Sequence, residues 1–137
     1  MGLDTSHDCW HGAYSAFSRW RNTIAKLGGY LEVAKSEWGG EYAAILDDER
    51  WEEKNFFGEW DAPPADPLLV LLVHSDCDGS ISPEHAGPLA DRLEGLLPSL
   101  VNLPDGGGHL GDYVETTQRF IDGLRKAVAA GERVEFM

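Results

Sequence analysis

Leu68-Leu69-Val70-Leu71-Leu72-Val73-His74-Ser75-Asp76-Cys77-Asp78-Gly79-Ser80-Ile81-Ser82-Pro83-Glu84-His85 is the stretch on which the fold turns. Its six leading residues are apolar without a break, the pattern of a short strand buried on both faces. Directly behind them stand His74 and two aspartates one residue apart, Asp76 and Asp78. Gly79 allows a sharp turn. Ser82 has the chemistry of a helix cap, with Pro83 at the first helical position and Glu84 in the first turn. No other part of the chain sets so much polar chemistry beside so apolar a segment.

Working outward, the upstream neighbour is an irregular aromatic connection, residues 55–67, with Phe56, Phe57, Trp60 and the prolines Pro63, Pro64 and Pro67. These prolines should stop any helix and lead into the strand. Residues 41–54 place Tyr42, Ile45, Leu46 and Trp51 on an acidic background and suggest a helix, as do residues 30–38, broken by Gly39-Gly40. Residues 6–27 read as a long first helix: Trp10, Tyr14, Phe17, Ile24 and Leu27 recur at helical spacing, and Gly28-Gly29 is a stop signal. Downstream, the helix opened by Pro83 should run to about Leu97, with Leu89, Leu93, Leu96 and Leu97 inward and Pro98 ending it. A loop over 98–109 contains Gly106-Gly107-Gly108. A last helix over about 110–130 repeats Leu110, Val114, Thr117, Ile121, Leu124 and Val128, and Gly131 terminates it. Residues 133–136 suggest a closing strand beside 68–73. The expected fold is therefore α+β, one domain over residues 1–137. Three to four helices pack on a small sheet with 68–73 as its buried central strand, the long first and last helices lying on it.

The net charge of −13 argues against a groove for nucleic-acid backbone, which needs clustered lysine and arginine. It suits a divalent cation, or an acidic face for a basic protein partner. Residues 41–66 hold nine acids and two bases, the most acidic segment of the chain. No apolar run approaches the roughly 20 residues of a membrane span. With two cysteines, Cys9 and Cys77, and no secretory pattern at the start, free thiols and a cytoplasmic protein are expected.

The loop after the apolar run is the candidate site. Two carboxylates held that close repel, and a cation relieves them. Oxygen ligands suit Mg2+, Mn2+ or Ca2+, and a neighbouring histidine shifts the preference toward Mn2+, Zn2+ or Fe2+. The candidate metal ligands are His74, Asp76, Asp78 and His7. His7 and His11, four apart, would share a face of the first helix. The candidate ligand pocket adds His11, Trp10 as a wall, His109 at the start of the last helix, and Arg19 and Arg21 as partners for a phosphate.

The loop resembles three metal or phosphate motifs. His74 to His85 resembles an EF-hand calcium loop, with Asp76, Asp78, Gly79, Ile81 and Ser82 at five of its positions but His74 at its first and His85 at its last. Asp76-Cys77-Asp78-Gly79-Ser80-Ile81 resembles the first motif of haloacid-dehalogenase-type phosphatases. His74-Ser75-Asp76-Cys77-Asp78-Gly79 resembles the His-x-Asp-x-Asp-Gly motif of DHH-type phosphoesterases. At the scale of the chain, three segments together resemble a family of small uncharacterised proteins of bacteria and their phages. They are Met1-Gly2-Leu3-Asp4-Thr5-Ser6-His7-Asp8 with Trp10, the His74–Gly79 loop, and Thr117-Gln118-Arg119-Phe120-Ile121-Asp122-Gly123-Leu124. That resemblance implies no established activity. It suggests a phage-encoded antagonist of a host defence signal. The functional expectation is a small soluble binding protein with a His/Asp pocket for a divalent metal, a phosphorylated nucleotide-like molecule, or both. The alternatives are a metal-dependent phosphoester hydrolase and an acidic inhibitor of a protein partner.

Overall fold

A computed structural model describes residues 2–29, 33–35, 41–43, 57–75, 78–101 and 113–136. The chain opens with a β-hairpin. β1 (Gly2–Asp4) and β2 (His11–Ala13) pair antiparallel, Leu3 opposite Gly12, around a short 3-10 turn at Ser6–Asp8. Thr5 closes the turn twice: its N–H donates to Trp10 O (3.0 Å), and its hydroxyl accepts from Trp10 N–H (2.9 Å). The expected helix over 6–27 is thus confined to α1 (Tyr14–Leu27). The exposed-buried-exposed alternation of Gly2, Leu3 and Asp4 is the strand period that the aromatic spacing masked. His7 and His11 do not share a helix face.

The second correction concerns the central stretch. Leu69–Leu72 is a short buried helix, α2, and not a strand. Leu72 and Val73 N–H bond back to Leu68 O and Leu69 O, each at 3.0 Å. Asp66 starts it, its carboxylate accepting from Leu68 N–H (3.0 Å), and Pro67 O receives Val70 N–H. A short apolar run fits a buried helical turn as well as a strand, and here Asp66-Pro67 supplies a start rather than a stop. All six residues Leu68–Val73 are buried.

The remaining elements follow more closely. β3 (Val33–Lys35) and β4 (Glu41–Ala43) pair antiparallel, Val33 opposite Ala43. These three-residue strands replace the helices expected over 30–38 and 41–54 wherever those stretches are described. Gly39-Gly40, which reads as a helix break, is equally a hairpin signal. α3 (Pro83–Glu94) starts as expected, and α4 (Leu97–Val101) follows at once, so Pro98 lies in a new helix instead of ending the old one. α5 (Tyr113–Ala130) ends before Gly131, whose φ of 66° is the left-handed conformation glycine tolerates. β6 (Val134–Glu135) is the expected closing strand. It pairs with β5 (Ser80–Ile81) and not with 68–73, and Phe136 bridges to Thr5.

The molecule is α+β, with five helices and three two-stranded antiparallel pairs among the described residues. α3 and α5 pack most extensively on one another. Thr117, Phe120, Ile121, Leu124 and Ala127 form the buried stripe of α5, so the stripe ends on Ala127 and leaves Val128 exposed. An aromatic cluster joins α1 to the rest. Trp10 stacks on Trp20 (5.5 Å), Trp20 meets Phe120 (4.9 Å), and Phe17 meets Phe136 (6.1 Å). Trp20 Nε1 donates to Thr117 Oγ1 at 2.9 Å, satisfying two buried polar groups at once. No helix among the described residues is long and apolar enough to cross a membrane.

Candidate functional site

His74 follows α2 and is completely buried. Its Nδ1 faces Ser75 O (2.8 Å), its Nε2 faces Ser80 O (3.0 Å), and its ring stacks on Phe136 (4.1 Å). Arg21, lying over the Phe17 ring, donates to His74 O and Leu71 O. Burial holds the imidazole below its ordinary value, Arg21 adding to that shift and the two carbonyls and Asp78 opposing it. Both ring nitrogens are therefore engaged inside the protein. His74 pins the end of α2 to β5 and offers no free nitrogen to a metal. Asp76, Cys77 and His109, the other residues expected beside it, lie outside the described residues.

The N-terminal histidines also have partners. His7 Nδ1 bonds with Ser6 Oγ (2.8 Å) and His7 Nε2 with Glu132 (3.1 Å). His11 pairs with Asp4 across the hairpin at 2.9 Å, both side chains being exposed. Trp10 is part of the core. Arg19 is exposed, whereas Arg21 donates to the His74 backbone carbonyl. Among the described residues, no three histidine, cysteine, aspartate or glutamate side chains converge closely enough to hold a metal.

Asp78 does reach an open site, with different companions. β5 crosses the 57–61 segment closely: Ser80 N–H donates to Phe57 O at 3.2 Å. Two glycines make the crossing fit. Gly58 and Gly79 both have φ of 83°, and a Cβ on Gly58 would lie 1.7 Å from Ser80 O. On one side of the crossing, Asp78, Glu59 and Glu135 line a groove of about 350 Å³ with Phe57 and Phe136. On the other, Ser80, Ser82, His85, Arg133, Glu59, Asp61, Glu84 and Trp60 line a groove of about 510 Å³. Glu59 and Ser80 belong to both, so the two grooves adjoin.

The larger groove opens on the start of α3. Ser82 caps no backbone amide, its hydroxyl bonding instead to His85 Nδ1 (3.0 Å), which leaves the positive helix end facing the groove. Burial holds His85 below its ordinary value, so its ring is neutral at neutral pH. Arg133 Nε donates to Ser80 Oγ at 2.7 Å, and among the described residues its guanidinium forms no ion pair. Trp60 Nε1 is buried and has no hydrogen-bond partner among the described residues. The sequence signals only part of this set. Ser82-Pro83-Glu84 is legible as a helix start, but Glu59, Arg133 and Glu135 join Asp78 only through the β5–β6 pairing and the close crossing of residue 58.

Comparison with known proteins finds no matching family model, no matching curated protein and no matching solved structure.

Proposed function

We propose that this chain is a small binding protein for a phosphorylated, nucleotide-like ligand carried with a divalent cation, seated across the two grooves that share Ser80 and Glu59. One observation carries the reading: an arginine that forms no ion pair among the described residues and the open start of α3 adjoin a groove walled by three carboxylates. The first half offers phosphate the Arg133 fork, the Ser80 and Ser82 hydroxyls and the helix dipole, while Glu59, Asp61 and Glu84 in the same wall call for the cation carried with it. The second half repels a bare phosphate and favours a cation. Mg2+ takes one or two protein carboxylates and completes its shell with phosphate oxygens and water, so no three-residue cage is required. Phe57 or Trp60 offers a face for a base, and such stacking contributes about 1–3 kcal/mol per base. His74 is locked away and His85 is neutral and bonded to Ser82, which favours binding over catalysis. The resemblance to small proteins of bacteria and their phages suggests an antagonist that sequesters or destroys a nucleotide signal, and so does not separate binding from hydrolysis.

The test is isothermal titration with nucleoside mono-, di- and triphosphates and cyclic nucleotides, with Mg2+ or Mn2+ and with chelator. Binding should need the metal. It should fall at least about tenfold in Arg133→Ala, equivalent to about 1.4 kcal/mol. Asp78→Asn combined with Glu135→Gln should remove the metal dependence. Absence of binding by every nucleotide at millimolar concentration with metal sinks the proposal. Turnover of the ligand would replace it with metal-dependent phosphoester hydrolysis.

A further inference from the structure

A third groove, of about 600 Å³, lies away from β5, between the hairpin turn and α5. Three local costs meet in its wall. His7 and Asp8 are consecutive non-glycine residues with φ of 61° and 58°, and they are the non-glycine residues with positive φ among those described. Such a conformation is unfavourable for a residue with a Cβ and persists only where the surroundings impose it. Opposite them, α5 carries Gly123 in mid-helix, where glycine is less favourable than alanine. A Cβ there would lie 2.5 Å from Cys9 Sγ and 2.7 Å from His7 O. Strained turn and helix glycine together let the turn sit down on α5 with the Asp8 side chain at the groove.

The groove's floor has a pattern of its own. Glu115, Arg119, Asp122 and Lys126 follow at spacings of four, three and four, so charges of alternating sign run along one helix face. Neighbours at this spacing stand about 5–6 Å apart at their Cβ atoms and ordinarily pair with each other. Here, among the described residues, they form no ion pairs with one another. Arg119 donates to Asp8 O (3.3 Å), Asp122 accepts from Gln118 (2.9 Å), and Lys126 and Asp8 have no ion-pair partner among the described residues. A simple anion would meet three carboxylates in this groove, and a simple cation would meet Arg119 and Lys126. A molecule bearing both charges a few ångströms apart satisfies both signs. We infer that this groove binds a small zwitterion, an amino acid or short peptide with its free ammonium toward Asp8 and Glu115 and its carboxylate toward Lys126 and Arg119. Val114 borders the groove and gives an aliphatic side chain a contact.

The probes are L-leucine, leucylglycine, N-acetyl-leucine and leucinamide, titrated into the 15N-labelled full chain. The zwitterions should shift the amide signals of Val114, Gly123 and Lys126, and the ratio of leucine to leucylglycine affinity decides between amino acid and peptide. Blocking either terminus should weaken binding at least about tenfold. Asp8→Asn and Lys126→Gln should each do the same, with unfolding curves confirming that both variants fold. Equal binding of the blocked compounds, or no localised shift from either zwitterion at 10 mM or so, overturns the inference. Neither result bears on the nucleotide grooves, which share no residue with this one.

Discussion

His74 shows how much one side chain can settle. A neutral imidazole has a single N–H, so only one of the two carbonyls it faces receives a proton, and the other confronts a lone pair. Protonation would satisfy both, yet burial opposes the charge and holds the ring neutral. His85 is shifted in the same direction. The unfolded chain takes up these protons as pH falls through about 6.5, whereas the folded rings resist. The stability they contribute is therefore full above about 6.5 and is lost as pH falls from there toward the folded values. Urea unfolding at about pH 7.5 and about pH 5.5 should show the lower stability at the acid side. His74→Ala should cost about 3 kcal/mol at the higher pH, from the lost ring and the carbonyls it leaves unpaired. The same variant should shrink the difference between the two pH values. An unchanged difference would assign the acid sensitivity elsewhere.

Among elements, the hairpin is the piece whose placement organises the others. Its turn rests on α5, its Thr5 bridges to Phe136, and Ser6 Oγ accepts from Glu135 N–H at 2.9 Å. The N-terminus thus clamps the C-terminal strand that forms one wall of the acidic groove. Gly123→Ala separates two opposed expectations for this contact. Helix propensity alone predicts a gain of about 1 kcal/mol. Overpacking against Cys9 and His7 predicts a loss of about 1–3 kcal/mol, and the loss should win because backbone atoms cannot swing aside. Denaturant unfolding measures the sign, and a stabilised variant would mean that the turn can lift from the helix.

At the scale of the molecule, the buried thiol of Cys9 reports on whether the hairpin and the core open together. Burial pushes it up to about 12, with the Thr5 hydrogen bond and Lys126 pulling the other way. A thiol so placed stays protonated and inert. In the native protein at about pH 8, iodoacetamide should leave Cys9 unmodified, as read by peptide mapping, while denatured chain reacts fully. Its labelling rate across a urea series should follow global unfolding. Labelling well before that transition would show that the hairpin detaches as a separate unit.

Local rules of spacing and capping were enough for the α+β class, the helices α3 and α5, the stop at Gly131 and the closing strand. The Leu68–Val73 run was legible as buried but not as a helix, since an apolar segment that short carries no period to separate the two. Ser82-Pro83-Glu84 announced its helix start, and Asp78 its exposed turn. Tertiary structure alone decided what these residues face. His74 turned inward because its two nitrogens found carbonyls from Ser75 and Ser80. Asp78 met Glu59 and Glu135, and Ser80 met Arg133, because β6 returns beside β5 and two left-handed glycines let residue 58 cross Ser80 at backbone contact. Such encounters join positions far apart in the chain, and no local pattern of side chains encodes them.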